Sequence, residues 1–520
     1  MKKIEIRRRS PEQVSPQLVV RADAGAHLGT GHLMRCLALV QAWIAEGGKV
    51  TFLSCCDSPA LRRRVTREGA RFVPLAAAHP DPTDWQATLR LIRKLKPDWL
   101  VIDGYHFDPE YQKAARAAGV RVLVVDDMAH WPKCHADILL NQNLGAEKLQ
   151  YHCDRDTELL LGTQYVLMRT EFLKWRGRQR EIPREARKVL VTMGGSDPDN
   201  VSLKVVRALE HVPMDRLEVV VVLGASNPHG ESLRAAIRSP EFKAHNHKVR
   251  LQSSSLNMPE LMAWADVAVT AGGGTCWELA FMGVPSLVLA LAANQRPTAR
   301  ALAARRAAKS LGTSERLSTT AVVRALVRLL QDASLREAMS GRGRRFVDGY
   351  GADRVLMTML GARLRLRSVQ TQDARLLWRW ANDPETRRMS FSTARIPWQS
   401  HLVWFDTKLH DPNCRLYVGV TASEQPVGQV RAELRGRDAT VSVSVDHRLR
   451  GKGYGSDLIR KAVERLLRDG RVGKVQAFVK PGNRASLIVF ERAGFRTAGW
   501  AKVEGQEAVL MEVHRRRAAA

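Results

Sequence analysis

The chain has 520 residues, 45% of them hydrophobic, and its 82 Lys and Arg residues outnumber 53 acidic residues, giving a net charge of +29. At roughly 100 to 200 residues per domain this length favours about three domains, and the lack of an apolar run of about 18 residues excludes a membrane-spanning helix. The seven cysteines form no C-x-x-C pair, so we expect free thiols rather than a disulfide framework.

The terminal and basic segments bear on location and partners. Residues 1–17 are charged, contain glutamates and precede no signal-type apolar core, so we expect an N-terminal extension of a cytoplasmic protein. The basic runs at 7–9, 62–64, 342–346 and 514–517 are dispersed and lack interleaved aromatic residues. A solvated, Arg-rich surface therefore fits better than a nucleic-acid groove.

Two series of alternating strands and helices follow. Between residues 18 and 180, strands are predicted at QLVVRAD, KVTFLSC, DWLVID and RVLVVDD, each followed by an amphipathic helix or a turn. Between 187 and 350, they are predicted at RKVLVTMGG, LEVVVVLGA, KVRLQSSS, DVAVTAGGG and PSLVLAL. This alternation is typical of parallel sheets with helices on both faces, so we predict two Rossmann-like domains.

The pattern changes in the last third of the chain. An aromatic helical segment, LLWRWAND, is followed by adjacent strands at LYVGV, PVGQVRAEL and ATVSVSVD, and then by a helix, a strand and a helix. We predict an α+β domain over 363–516. The expected fold class is therefore α/β, a pair of Rossmann-like domains followed by an α+β domain.

The segment LGTGHLMRC, residues 28–36, follows the first strand with G-x-G spacing. Met34 occupies the position of the third glycine of the dinucleotide fingerprint, so the motif fails and leaves His32 to be explained. His32 lies at a predicted helix start, near Thr30 or Gly31 as the cap, where the helix dipole disfavours an imidazolium and leaves a neutral base. The alternative is that His32 only packs at, or caps, the helix start.

The corners that follow parallel strands should meet at one edge of the sheet. In the first series these are the corner at residues 103–105 and the corner at 126–127, which we expect to lie near His32.

Two glycine-rich turns lie in the second series. In AVTAGGGTCWELAFMGVP, residues 268–285, a triple glycine between strand and helix lets backbone amides approach a diphosphate. Glu278, three residues after Thr275, either completes a T-x-x-E capping box or accepts hydrogen bonds from ribose hydroxyls. A similar turn, MGGSDPDN at 193–200, has Ser196 or Asp197 as its cap.

Two Rossmann-like halves with such a loop in the second resemble the GT-B architecture. RADAGAHLGTGHLMRCLAL, VIDGYHFD, VTMGGSDPDN, TAGGGTCWELAFMGVP and ANQ resemble the PseG family, UDP-sugar hydrolases of pseudaminic acid biosynthesis, over about residues 18–350. The resemblance implies metal-free hydrolysis of UDP-2,4-diacetamido-2,4,6-trideoxy-β-L-altropyranose, with His32 as the base and Glu278 on the ribose. The other implied substrate- or UDP-binding residues are Gly31, Tyr105, Gly195, Ser196, Gly273, Gly274, Thr275, Asn294 and Gln295.

The loop in VSVDHRLRGKGYGSDLI, residues 443–459, has R-x-x-G-x-G spacing between a strand and a helix. Its glycines allow successive amides to face an anion, although a flexible basic turn is the alternative. With strand KVQAFVK and helix PGNRASLIVFERAGF behind it, the loop resembles that of the GNAT acetyltransferases, which implies acetyl-CoA as co-substrate. The implied cofactor-binding residues are Arg448, Gly451, Lys452, Gly453, Tyr454 and Gly455, with Asn483 on the pantetheine arm.

The chain departs from that family at one position. Many members carry a tyrosine at the position of Phe490 as general acid for the CoA thiolate, and Phe490 has no hydroxyl to donate. Glu433 and Asp446 are candidates to deprotonate the acceptor amine, or else form salt bridges with the Arg-rich chain.

Together the resemblances predict two consecutive steps in one chain. A PseH-like domain acetylates a UDP-4-amino-4,6-dideoxy-N-acetyl-altrosamine with acetyl-CoA, and the hydrolase then releases UDP from the product. One alternative is a GT-B glycosyltransferase, or a hydrolase of another diamino UDP-sugar, with an acetyltransferase attached. Another is an RNA- or ribosome-associated acetyltransferase module.

Overall fold

The computed structural model describes residues 15–25, 28–224, 226–240, 242, 245–253, 257–360, 364–421, 424–450, 453–468 and 470–514. Residues 1–14 of the predicted extension, the basic run at 7–9 and most of that at 514–517 lie outside the described residues. The chain divides into two compact units, Met1–Val355 (unit 1) and Leu356–Ala520 (unit 2). The predicted domain limits at 18–180, 187–350 and 363–516 stay predictions.

The first lobe of unit 1 is built on a seven-stranded parallel sheet. Its strands are β1 Gln17–Ala22, β2 Lys49–Ser54, β3 Arg71–Pro74, β4 Trp99–Asp103, β5 Arg121–Val125, β6 Ile138–Asn141 and β7 Glu158–Leu161. Its helices are α1 Gly31–Ala45, α2 Pro59–Arg67, α3 Pro82–Leu95 and α4 Pro109–Ala117. The strand order is β3-β2-β1-β4-β5-β6-β7. Every residue of β4 is buried, as expected for a parallel strand covered on both faces.

The second lobe of unit 1 has a six-stranded parallel sheet. Its strands are β8 Lys188–Thr192, β9 Glu218–Leu223, β10 Lys248–Ser253, β11 Val267–Ala271, β12 Ser286–Ala290 and β13 Lys309–Thr313, and their order is β10-β9-β8-β11-β12-β13. Its helices are α6 Val201–Leu209, α7 Gly230–Ala236, α8 Met258–Trp264, α9 Thr275–Met282, α10 Arg296–Ala304, α11 Thr319–Gln331 and α12 Ala333–Arg344.

The chain passes between the two lobes twice. The first crossing, residues 162–187, contains the short helix α5 Thr170–Leu173. The second leads into α13 Gly351–Leu360, where the buried Arg354 donates to the Gln164 carbonyl at 2.6 Å and to Asp348 at 2.9 Å. Gly351 is required at this crossing, since a Cβ there would lie 2.1 Å from the Val166 carbonyl oxygen. The second crossing is therefore fixed to the end of the first lobe.

Unit 2 is a mixed sheet with helices. Its strands are β14 Arg365–Ser368, β15 Cys414–Val420, β16 Pro426–Arg435, β17 Asp438–Val445, β18 Lys474–Val479, β19 Arg496–Val503 and β20 Gln506–His514, and the order is β14-β15-β16-β17-β18-β20-β19. Its helices are α14 Ala374–Ala381, α15 Pro384–Met389, α16 Trp398–His410, α17 Tyr454–Arg468 and α18 Arg484–Arg492.

The pair β17 and β18 is parallel, whereas the other neighbours in this sheet are antiparallel. Register holds only from Asp438–Lys474 to Thr440–Gln476, although β17 continues to Val445 and β18 to Val479. The strands thus part beyond the third pair and leave a cleft between them.

The predicted fold class, two Rossmann-like sheets followed by an α+β domain, is confirmed. No helix in the described part of the chain is long and apolar enough to cross a membrane.

A buried ionic network ties β1 to the helices beside it. The Arg21 guanidinium donates to Asp23 at 2.9 Å and to Asp84 at 3.1 Å, and all three side chains are fully buried. Tyr111 also donates to Asp84, at 2.9 Å. Because burying an unpaired charge is costly, this network depends on all of its members.

We expect Asp84→Ala to destabilise unit 1 by about 3–5 kcal/mol, because it removes one of the two buried carboxylates that balance Arg21. Calorimetric unfolding of the full chain measures this as a lowered Tm of the unit 1 transition. As control, Asp156→Ala removes an exposed partner of Arg116 and should leave the Tm nearly unchanged, because solvent screens an exposed ion pair. An equal lowering of Tm in the two variants would contradict the conclusion that the buried network around Arg21 depends on all of its members.

Candidate active site

His32 lies in the first turn of α1 against the end of β4. Its Nδ1 is 2.7 Å from Oδ1 of the buried Asp103, the last residue of that strand. An ionised carboxylate can only accept, so Nδ1 carries a proton, and in the neutral imidazole Nε2 then keeps its lone pair. Thr30 is the N-cap residue and makes no side-chain capping bond. His32 is therefore held by a carboxylate, which goes beyond packing or capping at the helix start.

Arg35, one turn further along α1, holds two carboxylates together. Its guanidinium donates to both oxygens of Asp103 at 2.6 Å and to those of Asp127 at 2.9 and 2.8 Å. Burial opposes ionisation of Asp103, but Arg35 and His32 outweigh it and keep the Asp103 pKa well below its usual value. Burial likewise opposes ionisation of Asp127, and the attraction of Arg35 outweighs it, so that pKa is also lowered. Asp103 is thus an ionised carboxylate in contact with His32.

Tyr105 extends this network to the second lobe. Its hydroxyl donates to Asp127 at 2.6 Å and accepts from the Asn294 amide at 2.9 Å. Its ring meets the His32 ring edge-on, with centroids 4.8 Å apart. His32, Tyr105 and Asn294 are consequently neighbours, although 189 residues separate the last two.

A second connection between the lobes starts from the other oxygen of Asp127. The Asn143 amide donates to it at 2.7 Å, and the Asn143 oxygen accepts from the indole N–H of the buried Trp277 at 3.3 Å. Two hydrogen-bonded routes therefore run from one carboxylate of the first lobe to the second lobe.

The first glycine-rich turn of the second lobe meets the helix that carries His32. A Cβ at Gly195 would lie 2.3 Å from the Thr30 hydroxyl oxygen, so only glycine fits without displacing that side chain. Next to it, the buried Asp197 accepts from the Val201 and Ser202 amides at 2.8 and 2.9 Å. Asp197, rather than Ser196, therefore satisfies the first turn of α6.

The triple-glycine turn leads into α9, whose N-cap is Gly274. Thr275 is the first residue of the helix and no side-chain capping bond forms, so the capping-box interpretation of Thr275 and Glu278 is wrong. Glu278 instead accepts from Arg169 at 2.8 Å.

The triple-glycine turn is held from its other side by Gln295, because the Gln295 Oε1 accepts from the Gly272 amide at 3.1 Å. A Cβ at Gly274 would meet nothing within 4 Å, and one at Gly273 would meet only the Gln295 amide nitrogen, at 4.0 Å. Space is therefore open beside the helix start.

In unit 2 the glycine-rich loop joins β17 to α17, and Gly451 and Lys452 lie outside the described residues. Gly453 has a φ of +84°, which favours glycine. At Gly455 a Cβ would lie 3.1 Å from Val489, so the glycine lets α18 pack closely. The loop and the start of α17, at the buried Tyr454, follow the end of β17 that has separated from β18.

The polar side chains expected in the acetyltransferase site have structural partners, and Glu433 lies away from the loop, opposite Thr440, which is five residues before the end of β17. Arg448 donates to both oxygens of Asp446 at 3.0 Å, and Asp446 also accepts from the Trp380 indole at 3.1 Å. Asn483 accepts from the Ser486 amide at 3.1 Å as the N-cap of α18. Glu433 pairs with Lys408 at 3.3 Å. The salt-bridge interpretation of Glu433 and Asp446 thus fits the geometry better than that of a general base.

Phe490 lies in the core of unit 2. It is buried and packs edge-on against Phe495, with centroids 5.0 Å apart. A side chain in this position supplies no proton to a leaving group.

Sequence reasoning missed three residues of these arrangements. Arg35 could have been found from its i+3 spacing to His32. Asn143 follows β6, a strand that was not predicted, and Arg169 lies in the crossing between lobes, where no motif marks it.

Comparison with known proteins agrees with this division. Residues 189–349 match the glycosyltransferase family 28 C-terminal domain, and residues 363–496 match the acetyltransferase (GNAT) domain. The chain thus combines a glycosyltransferase-like domain with an acetyltransferase domain, and these matches support an enzyme.

Three curated relatives extend the comparison. SpsG of Bacillus subtilis, a spore coat polysaccharide biosynthesis protein, is 26% identical over 64% of this chain and 95% of its own length. An uncharacterized protein of Methanocaldococcus jannaschii is 22% identical over 92% of this chain and 96% of its own. A Helicobacter pylori protein named pseudaminic acid cytidylyltransferase and UDP-2,4-diacetamido-2,4,6-trideoxy-beta-L-altropyranose hydrolase is 27% identical over 38% of this chain and 35% of its own.

The N-terminal region is homologous to SpsG and to the pseudaminic acid enzyme, and it is fused to a GNAT domain at the C-terminus. The resemblance inferred from the sequence motifs is thereby confirmed, whereas the roles of individual residues stay predictions.

We expect neutral His32 to be the Nδ1–H tautomer, because Asp103 accepts from that nitrogen. Long-range ¹H–¹⁵N correlation spectra of ¹⁵N-histidine-labelled protein measure this, with the signal assigned through His32→Gln. His106 provides a matched control, since its Nε2 lies 3.0 Å from Asp23 and should carry the proton instead. An Nε2–H tautomer at His32 would contradict the pairing with Asp103.

Proposed function

We propose that unit 1 hydrolyses a UDP-linked diacetamido sugar and that unit 2 acetylates its 4-amino precursor. The single observation that carries the proposal is the His32–Asp103 pair, which lies at the strand ends facing the glycine-rich turns of a glycosyltransferase-like lobe. The homology to an enzyme named as a hydrolase of UDP-2,4-diacetamido-2,4,6-trideoxy-β-L-altropyranose supports this substrate.

In the proposed hydrolysis, Nε2 of His32 takes a proton from water as the water oxygen attacks the anomeric carbon. The bond from that carbon to the β-phosphate oxygen breaks, and UDP leaves with the electron pair. Asp103 stabilises the imidazolium that forms, and Arg35 prevents Asp103 from taking the proton itself. The proton then passes from His32 to solvent. Because UDP is a good leaving group, positioning the water and the sugar is the main task of the protein.

The second lobe would hold UDP. Backbone amides at Gly273, Gly274 and Thr275, at the start of α9, suit the diphosphate, and Glu278 suits the ribose hydroxyls. Tyr105 and Asn294, which meet beside His32, would contact the sugar. Gly31, Gly195, Ser196 and Gln295 shape the space between these groups.

In unit 2 the cleft between β17 and β18 and the loop before α17 suit acetyl-CoA. The 4-amino nitrogen would attack the thioester carbon and release one proton to solvent, forming the amide as the bond to sulfur breaks. Because Phe490 has no hydroxyl, we propose that CoA leaves as a thiolate without proton transfer from that position. Asp446 and Arg448, which pair with each other, would order the loop.

A strict glycosyltransferase remains the second candidate, favoured by the family 28 match. Incubation of the diacetamido UDP-sugar with protein and water distinguishes the two, since a strict transferase releases no free sugar.

We expect the full chain to convert the 4-amino UDP-sugar and acetyl-CoA into CoA, UDP and the free diacetamido sugar, as followed by phosphorus and proton NMR. His32→Ala should slow UDP release by about 10²–10⁴-fold, because it removes the base, yet leave acetylation unchanged. Absence of UDP in the wild-type reaction, even with acetyl-CoA, would rule out the fused pathway. Equal loss of both steps in the variant would indicate misfolding rather than loss of a base.

A further inference from the structure

Arg169 lies in the first crossing between the lobes of unit 1 and contacts carboxylates on both sides. Its Nη2 lies 2.8 Å from Oε1 of Glu278 on α9, and its Nε lies 3.3 Å from Oε1 of Glu171. The Arg169 side chain is only 10% exposed, so these contacts are shielded from solvent. Arg169 thus connects Glu171 in the crossing with Glu278 in the second lobe.

Glu171 is itself fixed by the first lobe. Arg64 on α2 donates to it at 2.9 Å, and the Gln41 amide on α1 donates to it at 3.3 Å. The Gln41 oxygen accepts from the Thr170 amide at 2.9 Å, which anchors the crossing next to Arg169. The position of Arg169 is thus set by α1, the helix that begins at the candidate active site.

Glu278 is a carboxylate in surroundings that oppose its charge. Burial raises the pKa of Glu278, Arg169 opposes that shift, and Glu171 adds to it. The buried thiol of Cys276 donates to the Ala271 carbonyl at 3.3 Å, and burial raises the pKa of that thiol to about 12, so it stays neutral. Helices α8 and α12 also pack against α9, but the charged groups with a described effect on Glu278 are Arg169 and Glu171. Arg169 is therefore the cation that lowers the pKa of Glu278 against the effect of burial.

We propose that Arg169 is a positioning residue for nucleotide recognition, holding Glu278 as a carboxylate with Oε1 engaged so that Oε2 accepts from the ribose hydroxyls of UDP. This inference rests on the proposed function, since it assumes that the second lobe binds UDP. Arg169 does not touch the nucleotide in this scheme. Its effect passes through the charge and the orientation of Glu278.

Titration of the full chain with UDP by isothermal calorimetry, from pH 5.5 to 8, tests the proposal. A protonated Glu278 is a poorer acceptor, so the affinity is full above its pKa and falls as pH decreases through it. Arg169→Gln removes the cation that lowers this pKa and moves the fall to higher pH. We expect the variant to bind UDP about 10-fold more weakly than the wild type at pH 6, a gap that narrows towards pH 8.

Three further variants separate this effect from others. The Glu278→Gln variant has no titrating carboxyl at this position. The pH dependence of its UDP affinity therefore measures the background from the UDP phosphate, which titrates near pH 6. The double variant Arg169→Gln/Glu278→Gln should follow that background, because the titrating carboxyl is gone. Arg116→Gln removes an arginine with three surface carboxylate partners in the same unit and should reproduce the wild-type profile.

The outcomes are distinct. An additional pH dependence in Arg169→Gln that disappears in the double variant supports the proposal. A wild-type profile in Arg169→Gln, or equal loss of binding at every pH in the single and double variants, overturns it while the proposed function stands. Failure of the wild-type chain to bind UDP overturns the proposed function, and the role of Arg169 with it.

Discussion

The pairing of two buried carboxylates with one guanidinium is the interaction on which unit 1 depends. Asp103 ends β4 and Asp127 lies two residues after the neighbouring strand β5, and without Arg35 their charges would repel in a site that solvent barely reaches. With Arg35 in place, Asp103 can fix the histidine tautomer, and Asp127 can accept from Tyr105 and Asn143. One arginine on α1 thereby supports both the carboxylate that selects the tautomer of the candidate base and the two hydrogen-bonded routes into the second lobe.

The two units use their charged groups differently. In unit 1 Arg35 satisfies both carboxylates, and Asp103 contacts only one of the two ring nitrogens of His32. In unit 2 Asp446, just before the loop, is taken up by Arg448 and Trp380, and Glu433, further along the sheet, is taken up by Lys408. Acetyl transfer there would rely on backbone amides and on the parted strands β17 and β18 to orient the reactants. This division suits a thioester, whose leaving thiolate is stable enough to depart without a strong acid.

The fold could be predicted from the sequence wherever strands are long and apolar, as at β4 and β9. The strands missed are of two kinds: short ones such as β3 and β6, with four residues each, and edge or late strands such as β13 and β19 with weaker patterning. In the site, His32, Tyr105 and Asn294 could be found because motifs mark them. Arg35 could have been found from its i+3 spacing to His32, whereas Asn143 and Arg169 could not be assigned, since their partners lie far along the chain. The T-x-x-E spacing was compatible with a capping box that does not form, because Gly274 is the N-cap residue of α9. Glu278 instead pairs with Arg169.

The double passage of the chain between the lobes has a mechanical consequence. A single connecting strand would allow one lobe to swivel freely, whereas the crossings at 162–187 and near Arg354 form two anchor points. Two anchors define an axis, so a rotation of one lobe against the other is least restrained about that axis and is resisted across it. The contacts of Gly195 with Thr30 and of Asn294 with Tyr105 are thereby held in one register by both crossings.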